Sequence, residues 1–117
     1  MTTVEIIRSA RELIEHGGRC RGAEATDIAG QRVHPLDPRA EFFSITGAVY
    51  RAIEYDGSPD SRRRLNEAVA TVQQFAPMPL QKWNDAPDTD LLDIHEAMKA
   101  AEAMAILEAT KEASDGK

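Results

Sequence analysis

The sequence predicts a mainly α protein: one domain of four helices, with a small β-hairpin between the first two. Three observations carry that expectation. Apolar residues recur at helical spacing in four stretches. Those stretches open on capping residues, in two cases a cap followed by proline. Residues 19–36 lack the helical period and read as short strands about a glycine turn. The chain has 117 residues, 42% of them hydrophobic and 29% charged. That suits one hydrophobic core, leaves no room for a second, and excludes intrinsic disorder. Aromatics are only 5%, so the core must be largely aliphatic.

The first helix opens on Thr2-Thr3-Val4-Glu5, a capping box with Thr2 at N-cap and Glu5 at N3. Ile6, Ile7, Ala10, Leu13 and Ile14 follow on one face, and Gly17-Gly18 stops it. Residues 23–26 and 31–33 are expected to pair as a hairpin turning near Gly30. Such a ribbon must lie against helices to persist. Asp37-Pro38 reads as the cap and first residue of helix two, with Phe42, Phe43, Ile45, Val49, Tyr50 and Ile53 on its apolar face. Gly47 in that face costs about 1 kcal/mol against alanine, which implies close approach of another element. Ser58-Pro59 opens helix three, whose stripe is Leu65, Val69, Val72 and Phe75. Pro77 and Pro79 enforce an extended connector. Trp83 to Pro87 read as a compact turn, its tryptophan buried against the first two helices. Thr89 or Asp90 caps the last helix, which docks through Leu91, Leu92, Ile94 and Met98 and runs to about Thr110. The domain is expected over residues 1–113, with 114–117 a frayed tail.

The formal net charge is −6. Residues 1–64 hold ten Arg and ten acids; residues 65–117 hold four Lys and ten acids. An acidic second half argues against binding the phosphate backbone of nucleic acid. Cys20 is the only cysteine, so no disulfide forms within the chain, in keeping with a reducing compartment. The N-terminus lacks the basic-then-apolar layout of a signal peptide. No apolar run approaches the ~18 residues of a membrane span. Cytoplasmic localisation is expected.

Three stretches carry a family resemblance: Val33-His34-Pro35-Leu36-Asp37-Pro38, then Gly47-Ala48, then Trp83-Asn84-Asp85-Ala86-Pro87. Together they resemble an uncharacterised family of small bacterial and phage proteins marked by a Trp-Asn-Asp-x-Pro turn. The resemblance spans roughly residues 4–107. It implies an architecture and a bacterial or phage origin, and no particular reaction. Family members often carry Cys where this chain has Ser44, which speaks against an obligatory thiol there.

Residues with chemical potential are few. Cys20, His34 and Asp85 stand in the order of a thiol nucleophile, its base and an orienting acid. A reactive cysteine is usually activated at a helix N-terminus, whereas Cys20 follows a helix C-terminus, where the dipole disfavours thiolate. His16, Cys20 and His34 are a poor metal set, because Gly17-Gly18 separates the first two and no paired metal motif occurs. Asp85, Asp88, Asp90 and Asp93 lack calcium-loop spacing and suit a helix N-terminus instead. Asn84 and Asp85 can close a turn on the backbone. Arg62-Arg63-Arg64 reads as a solvated face, with Arg64 able to reach Asp60. No Gly-rich phosphate loop is present, so neither cofactor nor metal is expected. The expected function is therefore a non-enzymatic protein-binding module, as in a phage or mobile-element accessory protein acting on a host protein. Its binding residues are Trp83, Asn84, Asp85, Met104 and Leu107. A homodimer of the last helix, through Met104, Ile106 and Leu107, is the simplest contact. The alternative is a small enzyme with a polar pocket around Cys20, His34 and Asp85.

Overall fold

A computed structural model describes the backbone of residues 1–115 and the side chains of residues 1–111. Helix α1 (Thr3–Gly17) begins where the capping box places it. Thr2 Oγ1 accepts from Glu5 N–H, and the Glu5 carboxylate accepts from Thr2 N–H, both at 3.2 Å. Ile6, Ile7, Ala10 and Ile14 form its buried face. Gly18, at φ 112°, turns the chain out of the helix.

The segment after α1 departs from the expected hairpin. Thr26 does bridge Arg32, and the turn between them uses Gly30 at φ 84°. The two-stranded sheet, however, joins β1 (Ala25–Thr26) to β2 (Phe42–Phe43), antiparallel, with Ala25 opposite Phe43. Residues 31–33 add two backbone bonds, Val33 N–H to the Ala25 carbonyl at 3.2 Å and Asp27 N–H to the Gln31 carbonyl at 2.9 Å.

This pairing also moves the start of the second helix. Helix α2 (Ile45–Ala52) begins at Ile45, well after Asp37-Pro38. Asp37 uses its carboxylate on Arg39, accepting from that residue's N–H and guanidinium, so it closes a turn. Arg51 donates to the carbonyls of Pro35 and Asp37, both at 3.1 Å, and pins that turn to α2. Phe42 and Phe43, expected on the helix, are extended strand residues. Ser44 is the cap, its Oγ accepting from Gly47 N–H at 3.0 Å.

Helix α3 (Pro59–Gln73) opens on Ser58 as its sequence predicts. Arg63 and Arg64 both fold back on Asp60. The protein then has a helix that the sequence reading placed as a turn: α4 (Leu80–Asp85), which brings the total to five among the described residues. Leu80 and Trp83, three apart, put one side of this short helix into the core, and the Gln73 side chain accepts from Leu80 N–H at 2.7 Å. It rests on α2 and α3.

Helix α5 (Leu91–Asp115) is capped by Asp90, in a reciprocal pair with Asp93. It continues past the expected end near Thr110. Gly116 and Lys117, the end of the expected tail, lie outside the described residues. Its core face is Ile94, Ala97, Met98, Ala101 and Ala105. Leu91 and Leu92, expected to dock on the core, are exposed instead: Leu92 falls on the helix face opposite those residues, and Leu91 stands at the helix's first residue.

Helix α1 packs against α2, α3 and α5. A chain of ion pairs fastens it to α5. Arg8 and Arg11 both hold Glu102, at 2.7 and 3.2 Å, Arg11 also holds Glu15, and Glu15 meets His95. Burial raises the Glu15 carboxyl, but the bonds from Arg11 and His95 bring it below its ordinary value. Among the described residues, no helix is long and apolar enough to cross a membrane.

Candidate functional site

The most polar interior region of the protein surrounds the tryptophan-bearing helix. Leu80 and Trp83 commit one side of α4 to the core, which carries Asn84 inward as well. Asn84 is fully buried. A buried amide is costly unless bonded, and each end of this one is. Its Oδ1 accepts from Ile45 N–H at 3.2 Å, at the first turn of α2. Its Nδ2 donates to the Cys20 carbonyl at 2.9 Å and to Asp85 Oδ1 at 3.0 Å. With Ser44 on Gly47, two side chains satisfy two of the N–H groups that the start of α2 leaves without a partner in the helix.

Asp85 continues the network at the surface. Its Oδ1 also accepts from Gly22 N–H at 2.9 Å and from Gln81 Nε2 at 3.1 Å. Burial pushes its carboxyl up, yet the Gly22, Asn84 and Gln81 donors and the Arg19 charge outweigh that and hold it below its ordinary value. Arg19 and Arg21 reach across to the Thr89 carbonyl, at 2.6 and 3.1 Å. Arg32 donates to the Gly22 carbonyl at 2.6 Å. The loop of residues 19–24 is thus clamped to residues 84–89 from both sides.

The candidate nucleophile sits inside this clamp. Cys20 is buried; its N–H donates to the Phe43 carbonyl and its thiol to the Ala23 carbonyl, both at 3.3 Å. Burial pushes the thiol up, away from thiolate. Cys20 and Asp85 therefore share a neighbourhood through Asn84. His34 does not join them. It is exposed, its Nδ1 accepts from Leu36 N–H at 3.1 Å, and its ring stands edge-on to Tyr50 at 5.3 Å. Beside Asp85 lies a hollow of about 260 Å³ lined by Gly22, Ala23, Glu24, Arg32, Gln81 and Asp85. Among the described residues, no group of three His, Cys, Asp or Glu side chains is placed to hold a metal ion.

Of the residues read as binding ones, Trp83 is buried with Asn84, and only Asp85 of that motif borders a hollow. Met104 is half-buried, and Leu107 is 66% exposed. Sequence reasoning missed the exposed Leu91 and Leu92, at 44% and 61%, while Ile106, expected to be left uncovered, is 45% exposed. They share α5 with Leu107, and a helical projection of α5 alone places Leu92, Ile106 and Leu107 opposite the buried Ile94, Ala101 and Ala105.

Fold and site define a small helical domain knit together by a buried asparagine, with one long helix presenting an outer face. Residues 1–104 match the family model described as "Family of unknown function (DUF6197)", and the chain belongs to that family. No curated protein and no solved structure matches it.

Proposed function

We propose that the chain is a non-enzymatic protein-binding module of bacterial or phage origin, acting in the cytoplasm, whose docking element is the outer face of α5. The observation that carries this reading is the exposure of Leu91, Leu92, Ile106 and Leu107 on a single helix. Large apolar side chains gathered on one exposed element mark interaction sites. The residues with chemical potential support the same reading. Asn84, Asp85 and Cys20 spend their polar groups on backbone partners, and His34 stands apart from them on Tyr50.

The test is photocrosslinking in cells. A benzophenone amino acid at Ala103, in the exposed face, is expected to give a discrete protein adduct. The same probe at Arg62 on α3 is expected to give none. Adduct at Ala103 should vanish when Leu92→Asp and Leu107→Asp are added. Equal labelling from both positions, or none from either, would contradict the proposal.

A further inference from the structure

The outer face of α5 is self-complementary. Leu92 and Ile106 lie seven residues to either side of Lys99, and Leu91 and Leu107 lie eight to either side. At 1.5 Å per residue, each apolar end stands about 10–12 Å from Lys99. Seven-residue steps drift only about 20° around a helix, so Leu92, Lys99 and Ile106 form one line along it. Leu92, Glu96, Lys99, Ala103 and Ile106 are all exposed. Turning a copy of this helix end over end about Lys99 lays Leu92 on Ile106. The small Ala103 falls opposite His95, which leaves room for the two helices to approach.

Charge follows the same symmetry. Among the described residues, neither Glu96 nor Lys99 takes part in an ion pair within the protomer, whereas His95 and Glu102 on the same helix do. In the antiparallel register, each Lys99 lies within one helical turn of Glu96 on the second copy. Two equivalent ion pairs then flank the two-fold axis. A lone lysine in an apolar seam fixes register at some cost in affinity, which suits a reversible dimer. A parallel arrangement would also set Glu96 on Glu96, whereas the antiparallel one brings only Lys99 near its own copy, on the axis.

We infer that two copies of the chain pair antiparallel along the outer face of α5, about a two-fold axis at Lys99. This rests on the reading of α5 as the docking element and names its occupant. The contact is isologous, so it closes at two subunits.

Sedimentation equilibrium at micromolar concentrations is the first arm of the test. The wild-type protein should dimerise. Lys99→Glu or Glu96→Lys alone should weaken the dimer by about tenfold, and the double reversal should restore it. These residues are exposed, so all three variants should stay folded by circular dichroism. The second arm sets register in a Cys20→Ser background. Lys99→Cys should form a disulfide with itself. Leu92→Cys and Ile106→Cys should each stay reduced alone and crosslink when mixed. Self-crosslinking of Leu92→Cys with itself would overturn the antiparallel register. A wild-type monomer that still yields an Ala103 photoadduct of another mass would overturn self-pairing while leaving the binding module standing. A monomer with no adduct would overturn both.

Discussion

Replacing Asn84 by alanine should cost more than any other polar substitution in this protein. The side chain is fully buried and accepts from Ile45 N–H while donating to the Cys20 carbonyl. Truncation strands one backbone donor and one backbone acceptor, neither with access to water. Leaving a buried polar group unmade costs about 1–3 kcal/mol, so the pair amounts to about 2–6 kcal/mol. Asp85 additionally loses one donor, which adds little because Gly22 and Gln81 remain. Stabilities of domains this size run about 5–15 kcal/mol, so Asn84→Ala removes a large share. Urea unfolding followed by tryptophan fluorescence measures it directly, since Trp83 is adjacent and is the only tryptophan. The midpoint should fall with an unchanged slope. Asn84→Asp should also destabilise, because it keeps the acceptor but loses the donor to Cys20 and sets a second carboxylate beside Asp85. A loss below about 1 kcal/mol for Asn84→Ala would refute the clamp as a source of stability.

Gly47→Ala should destabilise by about 2 kcal/mol or more, since a methyl there collides with the Glu24 carbonyl oxygen, and backbone cannot yield as a flexible side chain does; an unchanged thermal midpoint would show the approach to be incidental. Cys20 should react with a disulfide reagent at neutral pH more slowly than free cysteine, because burial pushes its thiol up; faster labelling would return it to the list of nucleophiles. Asp56, held down to about 2 by donors from Ser58 and Ser61, has a folded pKa below its ordinary 3.8. Its contribution is therefore complete above that ordinary value and is lost as pH falls through about 2. Asp56→Asn should flatten the pH dependence of stability in that window, and an unaltered acid limb would contradict the assignment.

Much of the fold was legible because it is written in local chemistry. Thr2 bonds with Glu5 and Ser58 with Ser61, each within one turn, so their residue types announce the helices they start. Gly47 was legible as a close approach for the same reason, since a helix interior rarely tolerates glycine without cause. Asp37-Pro38 misled because the same pair closes a turn as readily as it caps a helix, and Arg51, fourteen residues on, decides between them. Phe42 and Phe43 fit an apolar helix face equally well; only pairing with Ala25 and Thr26 makes them a strand. Helix α4 is six residues long, too short for periodicity to register. The candidate site was half legible. Asn84 and Asp85 were recognisable as turn-closing side chains, but their partners lie 39, 64 and 63 residues away in sequence. No local pattern points to them. Leu91 and Leu92 read as core residues of the last helix, which hides its outer face; the helix turns Ile94, Ala97, Met98, Ala101 and Ala105 inward instead.

Residues that build the fold are distinct from residues that dock, and one paired measurement tests that separation most directly. Leu92→Asp with Leu107→Asp should leave the thermal midpoint close to wild type, since both side chains are exposed and surface changes stay within about 0.5 kcal/mol. The same protein should lose the Ala103 photoadduct and sediment as a monomer. A marked fall in thermal stability with the adduct retained would place these leucines in the core and leave α5 without a docking role.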